Sequence, residues 1–481
     1  MGSLIGGAVR VIADAVDGSN ACWIGPQTEV KYTKSLSVNN KSGSLITIEA
    51  FPVDPKDWET FYGTMSNGLL WPGLHGMVSQ VQANYRGLVE QDNLSVKRSC
   101  IAYRRVAQQA AGVVGSHLEK PEASILWVHD YQCIPVGGFV QSPSAKIFTL
   151  HTPFPSIDHL IRLEQALSPE YVAQWMEKSV KDLLAYNAVT VHTKQDAAHL
   201  VSAIARYGNQ PTINFDNGIY VVNDKTAISN CTIGVDADDI NSTALGEQHK
   251  SEIDRILEGF GKRKIFISFS RLDYTKGFDV LLEAIENLHQ QDPSFQANTG
   301  FLVIAEPTRP GVIGYDGYAQ KCNQAAERIT KKLPDGYFKM IKTGLPQDLI
   351  FEMIARPEIT GIIANPLVDG HNLTAREFVA ANSRGNSKVV IISEAAGSSQ
   401  ILCDEGRGGY VLRTPRDPAE LARVITLAIK ASPEERVARM EFMGARSNSM
   451  NGAAFREEVL AVLEDGLECQ RRIATSLEAT R

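Results

Sequence analysis

The chain has 481 residues, 43% of them hydrophobic and 21% charged, a composition that fits a folded protein of two or three domains and excludes a long disordered or fibrous chain. Its 48 basic and 55 acidic residues give a net charge of -7, so we expect no nucleic acid and no membrane as a partner. Seven cysteines scattered without CxxC pairs fit reduced thiols, and the first residues lack a signal-peptide pattern. We therefore expect a cytoplasmic protein.

Short apolar runs rich in β-branched residues alternate with helical segments along the chain. The predicted strands lie at 125–130, 146–150, 188–193, 264–270, 300–306, 361–366 and 388–393. Strands alternating with helices are typical of βαβ units, and fully apolar strands fit parallel sheets covered on both faces. The sequence therefore predicts an α/β fold, followed by helices at about 417–430, 433–446 and 452–475.

This regularity is interrupted between about 208 and 262, where a turn-rich stretch precedes a charged helix. We place a domain boundary near 235–245, which divides the chain into two α/β halves. Doubly wound domains bind ligands at the carboxyl ends of their strands, so a ligand is expected in a cleft between the halves. The last helix is amphipathic and is predicted to pack back on the N-terminal half.

The strongest local signal is the segment FSRLDYTKGF, in which a predicted strand ends at Arg271 and Lys276 and Gly277 open the next helix. A guanidinium, an ammonium and the N–H groups of a helix start together form an anion site that favours phosphate oxygens. The alternative is structural, with Arg271 paired to Asp273 and Lys276 an ordinary helix-start residue. The segment lacks the GxxxxGK[ST] pattern of a Walker loop.

A second signal is NPLVDGHNLTAREF, in which a strand end leads through a glycine turn into a helix. Gly370 permits the turn, the N–H groups of residues 371–373 can meet a phosphate, and Glu377 can accept hydrogen bonds from two ribose hydroxyls. The alternative makes Asp369 or Asn372 a helix N-cap and Glu377 part of a solvated helix face.

A third signal lies at the ends of two strands in the first half of the chain. His129 and Asp130 end one predicted strand, and His151 ends the next. Polar residues at the carboxyl ends of neighbouring parallel strands lie close together and face a ligand. Asp130 could accept from sugar hydroxyls, and His151 could bind one or support positive charge through its carbonyl. Both histidines could instead be structural.

Other patterns carry less information. Residues 397–399 could form another phosphate-facing helix start or a plain turn, and the acidic run at 235–240 lacks the spacing of a calcium loop. The sequence contains no HExxH, no cysteine-histidine zinc pattern, no GxSxG and no GxGxxG. A metal site is therefore not predicted.

Six blocks occur in order over most of the chain: SNGLLWPGLH (66–75), ILWVHDYQ (125–132), LHTPFPS (150–156), SRLDYTKG (270–277), IAEPTRPGVIGY (304–315) and LVDGHNLTAREFVAANSRGNSKVVIISEAAG (367–397). Together they resemble the trehalose-6-phosphate synthase family of retaining glycosyltransferases. The resemblance implies a GT-B fold, with two Rossmann-like doubly wound domains facing a central cleft. It implies an acceptor domain at 1–238, a nucleotide-sugar domain at 239–448 and a returning helix at 449–481.

Carried over residue by residue, the resemblance implies a donor site in which Arg271 and Lys276 hold the diphosphate, Glu377 holds the ribose and Asp369 holds a sugar hydroxyl. Backbone N–H groups of the turn and a glycine pair would meet the phosphates. The implied donor-binding residues are Gly6, Gly7, Arg271, Lys276, Asp369, Gly370, His371, Asn372, Leu373 and Glu377.

The catalytic residues implied by the resemblance are His151, Asp130, Arg271 and Lys276. Acceptor binding is implied for Trp71, Gly76, Asp130 and Arg309, the last through an acceptor phosphate. Gly76 stands where the family has an aromatic residue, and so does Cys100. The family also begins with a strand and an Asn-Arg loop before the glycine pair, and this sequence starts after that point. These departures point to an altered acceptor pocket.

The predicted activity is transfer of glucose from UDP-, ADP- or GDP-glucose to a phosphorylated acceptor, with retention of configuration and without a metal or cofactor. Glucosylglycerol-phosphate synthases and pseudo-glycosyltransferases acting on a cyclitol are alternatives within the superfamily. A catalytically silent nucleotide-sugar-binding protein is an alternative of another class. The partners are then small molecules, and a homo-oligomer is possible.

Overall fold

The computed structural model describes residues 21–28, 31, 34–39, 45–92, 94–118, 124–142, 144–291, 295–383, 386–404 and 406–479. The chain divides into two compact units. One comprises Met1–Ile233 together with Gly452–Arg481, and the other comprises Gly234–Asn451. Each unit has its own hydrophobic core and its own sheets.

The first unit contains a three-stranded sheet of order β1-β3-β2 and a six-stranded sheet of order β4-β5-β6-β9-β8-β7. Their strands are β1 (Ala21–Gln27), β2 (Lys34–Asn39), β3 (Leu45–Pro52), β4 (Ile125–His129), β5 (Ala145–Thr149), β6 (Ala188–Val191), β7 (Ile213–Asp216), β8 (Ile219–Val222) and β9 (Thr226–Asn230). Strands β4, β5, β6 and β9 run parallel, so their carboxyl ends share one edge of the sheet.

The predicted strands of this unit correspond to β4, β5 and β6, so β9 and two further parts of these sheets were not predicted. Strands β1 to β3 mix polar and apolar residues and so lack the apolar runs that identified the others. The turn-rich stretch forms the antiparallel hairpin of β7 and β8, which pairs with β9. Asn217 and Gly218 connect β7 to β8, and both have positive φ, the geometry for which Asn-Gly is the preferred two-residue turn.

Helices cover this unit between the strands. They are α1 (Pro55–Trp58), α2 (Trp71–Leu74), α3 (Val78–Gln91), α4 (Ser95–His117), α5 (Val136–Phe139), α6 (Ile157–Ala166), α7 (Pro169–Leu183) and α8 (Lys194–Tyr207), with a π-helix at Glu59–Leu70 and a 3-10 turn at Tyr131–Cys133. The side chains of Ser156, Ser168 and Thr193 cap the first turns of α6, α7 and α8.

The second unit has a six-stranded sheet of order β12-β11-β10-β13-β14-β17 in which all neighbours run parallel. Its strands, with a two-stranded ladder of β15 and β16, are β10 (Lys264–Arg271), β11 (Thr299–Glu306), β12 (Phe338–Ile341), β13 (Ile359–Ala364), β14 (Val389–Ser393), β15 (Cys403–Asp404), β16 (Arg407–Gly408) and β17 (Tyr410–Leu412). The four predicted strands of this half are the central β10, β11, β13 and β14. Every residue of β13 and β14 is buried, as expected for a sheet covered on both faces.

Helices connect these strands, and a 3-10 turn spans Tyr274–Lys276. They are α9 (Ala237–Ala244), α10 (Lys250–Leu257), α11 (Phe278–Gln291), α12 (Phe295–Asn298), α13 (Tyr315–Lys332), α14 (Gln347–Ala355), α15 (Leu373–Asn382), α16 (Ser399–Leu402), α17 (Pro418–Lys430) and α18 (Pro433–Asn448). The first two of the three helices predicted after the last strand correspond to α17 and α18.

The last helix, α19 (Gly452–Ala479), belongs to the first unit. Phe455 packs against Trp127 of β4, with ring centroids 5.7 Å apart. A Cβ on Gly466 would lie 2.2 Å from the carbonyl oxygen of Asn187, so the helix backbone approaches the sheet closely. Among the described helices, none combines the length and apolar character that crossing a membrane requires.

Candidate active site

The segment after β10 forms a tight, buried turn. The carboxylate of Asp273 accepts hydrogen bonds from the amide and the hydroxyl of Thr275, each at 2.9 Å. Gly277 follows with φ +68°, and a Cβ there would lie 2.3 Å from the carbonyl oxygen of Asn365. Only glycine combines this backbone geometry with this close approach. The turn therefore places Lys276 at the start of α11.

The segment after β13 forms a second turn at the same edge of the sheet. Asn372 has φ +67°, and its side chain caps α15 by accepting from the amide of Ala375 at 3.3 Å. The amide of Gly397 donates to the carbonyl of Asp369 at 3.1 Å, and the amide of Ser398 donates to that of His371 at 2.7 Å. The loop after β14 thus stabilises the turn at 369–372 through two backbone hydrogen bonds.

The two turns contact each other directly. The ammonium of Lys276 lies 2.5 Å from the Oδ2 atom of Asp369, and the side chains are only 7% and 6% exposed. The amide of Leu367 donates to the carbonyl of Thr275 at 2.7 Å. A buried pair of this kind is costly to desolvate and strongly destabilising to break. The two turns therefore lie together at the carboxyl edge of this sheet.

Arg309, predicted to contact an acceptor phosphate, has a guanidinium that is directed to the first turn. Its Nη1 atom lies 3.2 Å from Oδ2 of Asp273 and also contacts the hydroxyl of Tyr315. The Arg309 side chain is 4% exposed, and that of Asp273 is fully buried. Burial raises the pKa of Asp273, but Arg309, Arg271 and the Thr275 amide outweigh it and hold that pKa below its ordinary value. In this structure Arg309 acts as a counter-ion to Asp273.

Glu377 lies in the second turn of α15 and is partly exposed. The amide group of Gln347 donates to its Oε1 atom at 3.3 Å. Burial raises the pKa of Glu377 to about 7, with a smaller opposing effect from Gln347. The carboxyl group thus changes its protonation near neutral pH, and as a carboxylate it can accept two hydroxyl hydrogen bonds.

In the first unit, Asp130 and His151 follow the neighbouring strands β4 and β5. Asp130 has φ +67°, a strained geometry for a residue with a side chain and one that occurs at functional sites. Its Oδ1 atom accepts from the amide of His151 at 3.2 Å. The carboxylate therefore fixes the backbone of the loop that contains His151.

Three histidines at the ends of β4, β5 and β6 form a hydrogen-bonded row. His129 Nδ1 lies 3.1 Å from His151 Nε2, and His151 Nδ1 lies 3.0 Å from His192 Nε2. Burial lowers the pKa of His129 and lowers that of His151 to about 4, so both rings are neutral at physiological pH. Because both nitrogens of His151 contact other imidazoles, a substrate can meet this residue through its backbone.

His192 was not identified as a candidate from the sequence. The signal was present, since His192 comes directly after β6, as His129 ends β4 and His151 comes after β5, and the carboxyl ends of parallel strands meet at one edge. The sequence indicates Asp273 only as a possible surface partner of Arg271. In the structure Asp273 is buried and contacts Thr275, Arg309 and Tyr315.

Of the predicted acceptor residues, Trp71 is buried, with its ring 4.1 Å from that of His75 and 5.7 Å from that of Tyr131. Gly76 has φ +64°, and a Cβ there would lie 3.0 Å from the ring of His159. The imidazole of His159 thus occupies the space that a side chain at position 76 would need.

Cys100, the other departure on the acceptor side, lies in α4 of the same unit. Its sulfur lies 3.5 Å from the hydroxyl of Tyr171, and the ring of Tyr171 stands 5.7 Å from that of Tyr85. Gly6 and Gly7, predicted to form a loop over the donor phosphates, lie outside the described residues.

The sequence pattern of glycosyltransferase family 20 matches residues 5–464. An α,α-trehalose-phosphate synthase (UDP-forming) of Arabidopsis thaliana is 28% identical over 98% of this chain and 48% of its own length. A bifunctional trehalose-6-phosphate synthase/phosphatase of Thermoproteus tenax is 26% identical over 83% of this chain and 51% of its own length. The chain thus spans about half the length of these two relatives. It covers 87% of a trehalose-6-phosphate synthase of Sodalis glossinidius, at 25% identity over 91% of this chain.

Solved structures show the same fold. The UDP-forming α,α-trehalose-phosphate synthase of Burkholderia xenovorans superposes with a TM-score of 0.81 at 25% identity, over 96% of this chain and 97% of that one. A trehalose-6-phosphate synthase from E. coli bound with UDP-2-fluoro glucose superposes with a TM-score of 0.80 at 20% identity, over 96% of both chains. These likenesses confirm the predicted α/β fold of the GT-B class. With the pattern matching nearly its whole length, the chain belongs to glycosyltransferase family 20.

Proposed function

We propose that this protein is a retaining glycosyltransferase that moves glucose from a nucleotide-diphospho-glucose to a phosphorylated acceptor. The observation that carries the proposal is the contact between Lys276 and Asp369, which joins two turns whose residue types suit a sugar diphosphate. Asp369 is suited to a sugar hydroxyl, Lys276 to a phosphate oxygen and Glu377 to a ribose. Lys276 and Asp369 are in contact, and Glu377 lies in α15, the helix that follows the second turn.

The reaction requires mainly that the protein stabilise charge on the leaving group and hold the two substrates in position. As the bond from the anomeric carbon to the diphosphate breaks, negative charge grows on the leaving oxygen, and Arg271 and Lys276 can stabilise it without reorganisation. The acceptor hydroxyl attacks from the same face, and its proton passes to the departing diphosphate oxygen. No pair of catalytic carboxylates is then required, in contrast to a glycosidase.

The first donor to test is UDP-glucose, because the similar proteins of Arabidopsis thaliana and Burkholderia xenovorans are named as UDP-forming. ADP-glucose and GDP-glucose remain alternatives, since a nucleotide base can be recognised through backbone groups that any sequence supplies. Nucleotide sugars and sugar phosphates are cytosolic metabolites, which agrees with the cytoplasmic location expected from the cysteines.

The acceptor is the least constrained part of the proposal. A relative has been crystallised in complex with glucose-6-phosphate, which makes that sugar phosphate one candidate. Gly76 and Cys100 supply less stacking surface than the aromatic residues of the family, and His159 closes the space beside Gly76. These changes favour a different phosphorylated acceptor, such as a polyol phosphate or a cyclitol phosphate.

A donor-by-acceptor activity matrix tests the function. Each of the three nucleotide sugars is incubated with glucose-6-phosphate, glycerol 3-phosphate and a cyclitol phosphate, and the products are identified by mass. Release of nucleoside diphosphate together with a product of the expected mass supports the enzyme. Tight donor binding in calorimetry without release for any acceptor would support the catalytically silent binding protein instead.

From the pKa of Glu377 we predict that the affinity for the donor depends on pH. A carboxyl group with a pKa of about 7 is protonated at lower pH and then accepts the ribose hydroxyls poorly. UDP-glucose affinity should therefore rise between about pH 5 and pH 7, by up to tenfold per pH unit, and level off above. Calorimetric titration across this range measures the effect, and the diphosphate diester of UDP-glucose does not itself titrate there.

The Glu377→Gln variant should bind more weakly at pH 8 and lose the pH dependence. The matched control is Glu327→Gln, which changes an exposed glutamate of the same unit and should leave the profile unchanged. An unaltered profile in Glu377→Gln would remove this residue from the donor site.

A further inference from the structure

A cluster of three side chains lies in the first unit, apart from the residues assigned to the transfer reaction. The sulfur of Cys22, a carboxylate oxygen of Glu49 and a ring nitrogen of His117 all lie within 4.8 Å of one another. They come from three different elements, β1, β3 and the end of α4. Their proximity is thus a product of the tertiary fold.

The sheet register explains why two of these side chains meet. In the parallel pairing of β1 with β3, Cys22 stands opposite Thr47 and Ile24 opposite Glu49. Residues two apart on a strand point to the same face, so Cys22 and Glu49 share a face. On the other side of β3, Ser35 of β2 pairs with Glu49 and donates to its Oε2 atom at 3.3 Å. Ser35 thus orients Glu49 from the β2 side.

The third side chain comes from the helix that covers this face. His117 is the last residue of α4, and its Nε2 atom lies 2.5 Å from Oε2 of Glu49. The carboxyl end of a helix carries partial negative charge and favours a cation close to it. Glu49 is buried, whereas Cys22 and His117 are exposed, so an ion could enter from solvent.

We propose that Cys22, Glu49 and His117 bind a zinc ion, with water as the fourth ligand. Thiolate, imidazole and carboxylate are the three ligand types that zinc takes in proteins, and tetrahedral coordination by three side chains and water is a common arrangement. Zinc binding requires a thiolate and a ring nitrogen without a hydrogen. It therefore releases the thiol proton of Cys22, and His117 coordinates through a nitrogen that carries no hydrogen. The contact between Glu49 and His117 then becomes joint coordination of one ion.

A zinc ion here would tie β1 and β3 to the end of α4. Trp23, the neighbour of Cys22, points to the opposite face of β1 and stacks on His129 with ring centroids 5.9 Å apart. The bound ion would therefore steady the strand that contacts the histidine row. Because metal binding to the folded state stabilises it, zinc should also raise the Tm of the protein.

The test uses the full-length protein, free of any histidine tag and stripped with a chelator. Calorimetric titration with zinc chloride should give one ion per chain, and magnesium chloride should give no binding at this site. Cobalt chloride should produce the near-ultraviolet absorption of a cobalt–thiolate bond. Cys22→Ser should lose this absorption and bind zinc at least about tenfold more weakly, as should His117→Ala.

Cys469→Ser is the matched control, since it removes another partly exposed cysteine of the same unit and should bind zinc as the parent does. Cys22 is exposed, so its replacement by serine should leave the fold intact, which circular dichroism can verify. If the parent binds no zinc, or if Cys22→Ser binds it as tightly and gains the same Tm, the proposal is wrong and the cluster is a Glu49–His117 ion pair beside a thiol.

Discussion

Replacing Lys276 by alanine is expected to lower the turnover of glucose transfer by roughly 10² to 10³. This is the usual cost of removing one preorganised group that stabilises charge developing in a transition state. Lys276 contacts Asp369 at the junction of the two donor turns, so its ammonium is held in place before any substrate binds. The measurement is steady-state release of nucleoside diphosphate from UDP-glucose with the acceptor identified in the activity matrix.

Lys276→Ala also leaves the buried carboxylate of Asp369 without its cation. Breaking a buried pair from one side costs about 3 to 5 kcal/mol of stability, so loss of activity alone would not separate catalysis from folding. Adding Asp369→Asn removes the uncompensated charge. We expect the double variant to regain most of the free energy of unfolding, measured by denaturant titration, while its transfer activity stays low.

Lys264→Ala provides the control, because Lys264 lies at the exposed start of β10, the strand that leads to this turn. It should match the parent in both activity and stability. Near-parental transfer by the double variant with regained stability would show that neither Lys276 nor Asp369 takes part in the reaction. The contact between them would then no longer support the proposed function.

The second large effect is expected from Gly277→Ala. An alanine at this position must adopt φ +68° and place its Cβ 2.3 Å from the carbonyl oxygen of Asn365. The positive φ alone costs about 1 to 2 kcal/mol, and overpacking adds about 1 to 3 kcal/mol. We expect a loss of about 2 to 5 kcal/mol in the free energy of unfolding, together with weaker donor binding because the turn carries Lys276.

Gly261→Ala separates these two contributions. Gly261 has φ +61°, close to that of Gly277, but no atom lies within 4 Å of a Cβ placed there. In this variant the free energy of unfolding should therefore fall only by the cost of the positive φ, and the affinity for UDP-glucose should be unchanged. Equal destabilisation of the two variants would mean that the loop at Asn365 yields to the new methyl group and that the close approach does not constrain the turn.

The sequence predicted β4, β5 and β6 of the first unit and the four central strands of the second because those strands are short apolar runs between helices. It did not predict β1 to β3, whose burial depends on elements elsewhere in the chain, and it did not predict β7 and β8, although Asn217-Gly218 is a strong hairpin signal. The helix at the end of the chain was predicted from its amphipathic pattern. The close approach of its backbone to Asn187 at Gly466 leaves no such pattern in the sequence.

The candidate donor residues were found from local chemistry and from the family resemblance. Their pairing could not be found in the same way, since Lys276 and Asp369 are 93 positions apart and their contact depends on the order of strands in the sheet. The same holds for Asp273, expected from the sequence only as a surface partner of Arg271, and for Arg309, expected to contact an acceptor phosphate. The two are buried together in the structure. Side-chain pairing is a property of the tertiary fold.

The row of three imidazoles connects His129 to His192 through hydrogen bonds to the ring of His151, which lies between them. His192 Nδ1 lies 3.1 Å from the carbonyl oxygen of Cys231 and 3.4 Å from the amide nitrogen of Ile233, and the shorter contact favours a proton on Nδ1. His192 and His151 then donate through Nδ1 and accept through Nε2, and His129 donates through Nδ1. One peptide carbonyl after β9 thus favours a particular tautomer of His129, two strands away.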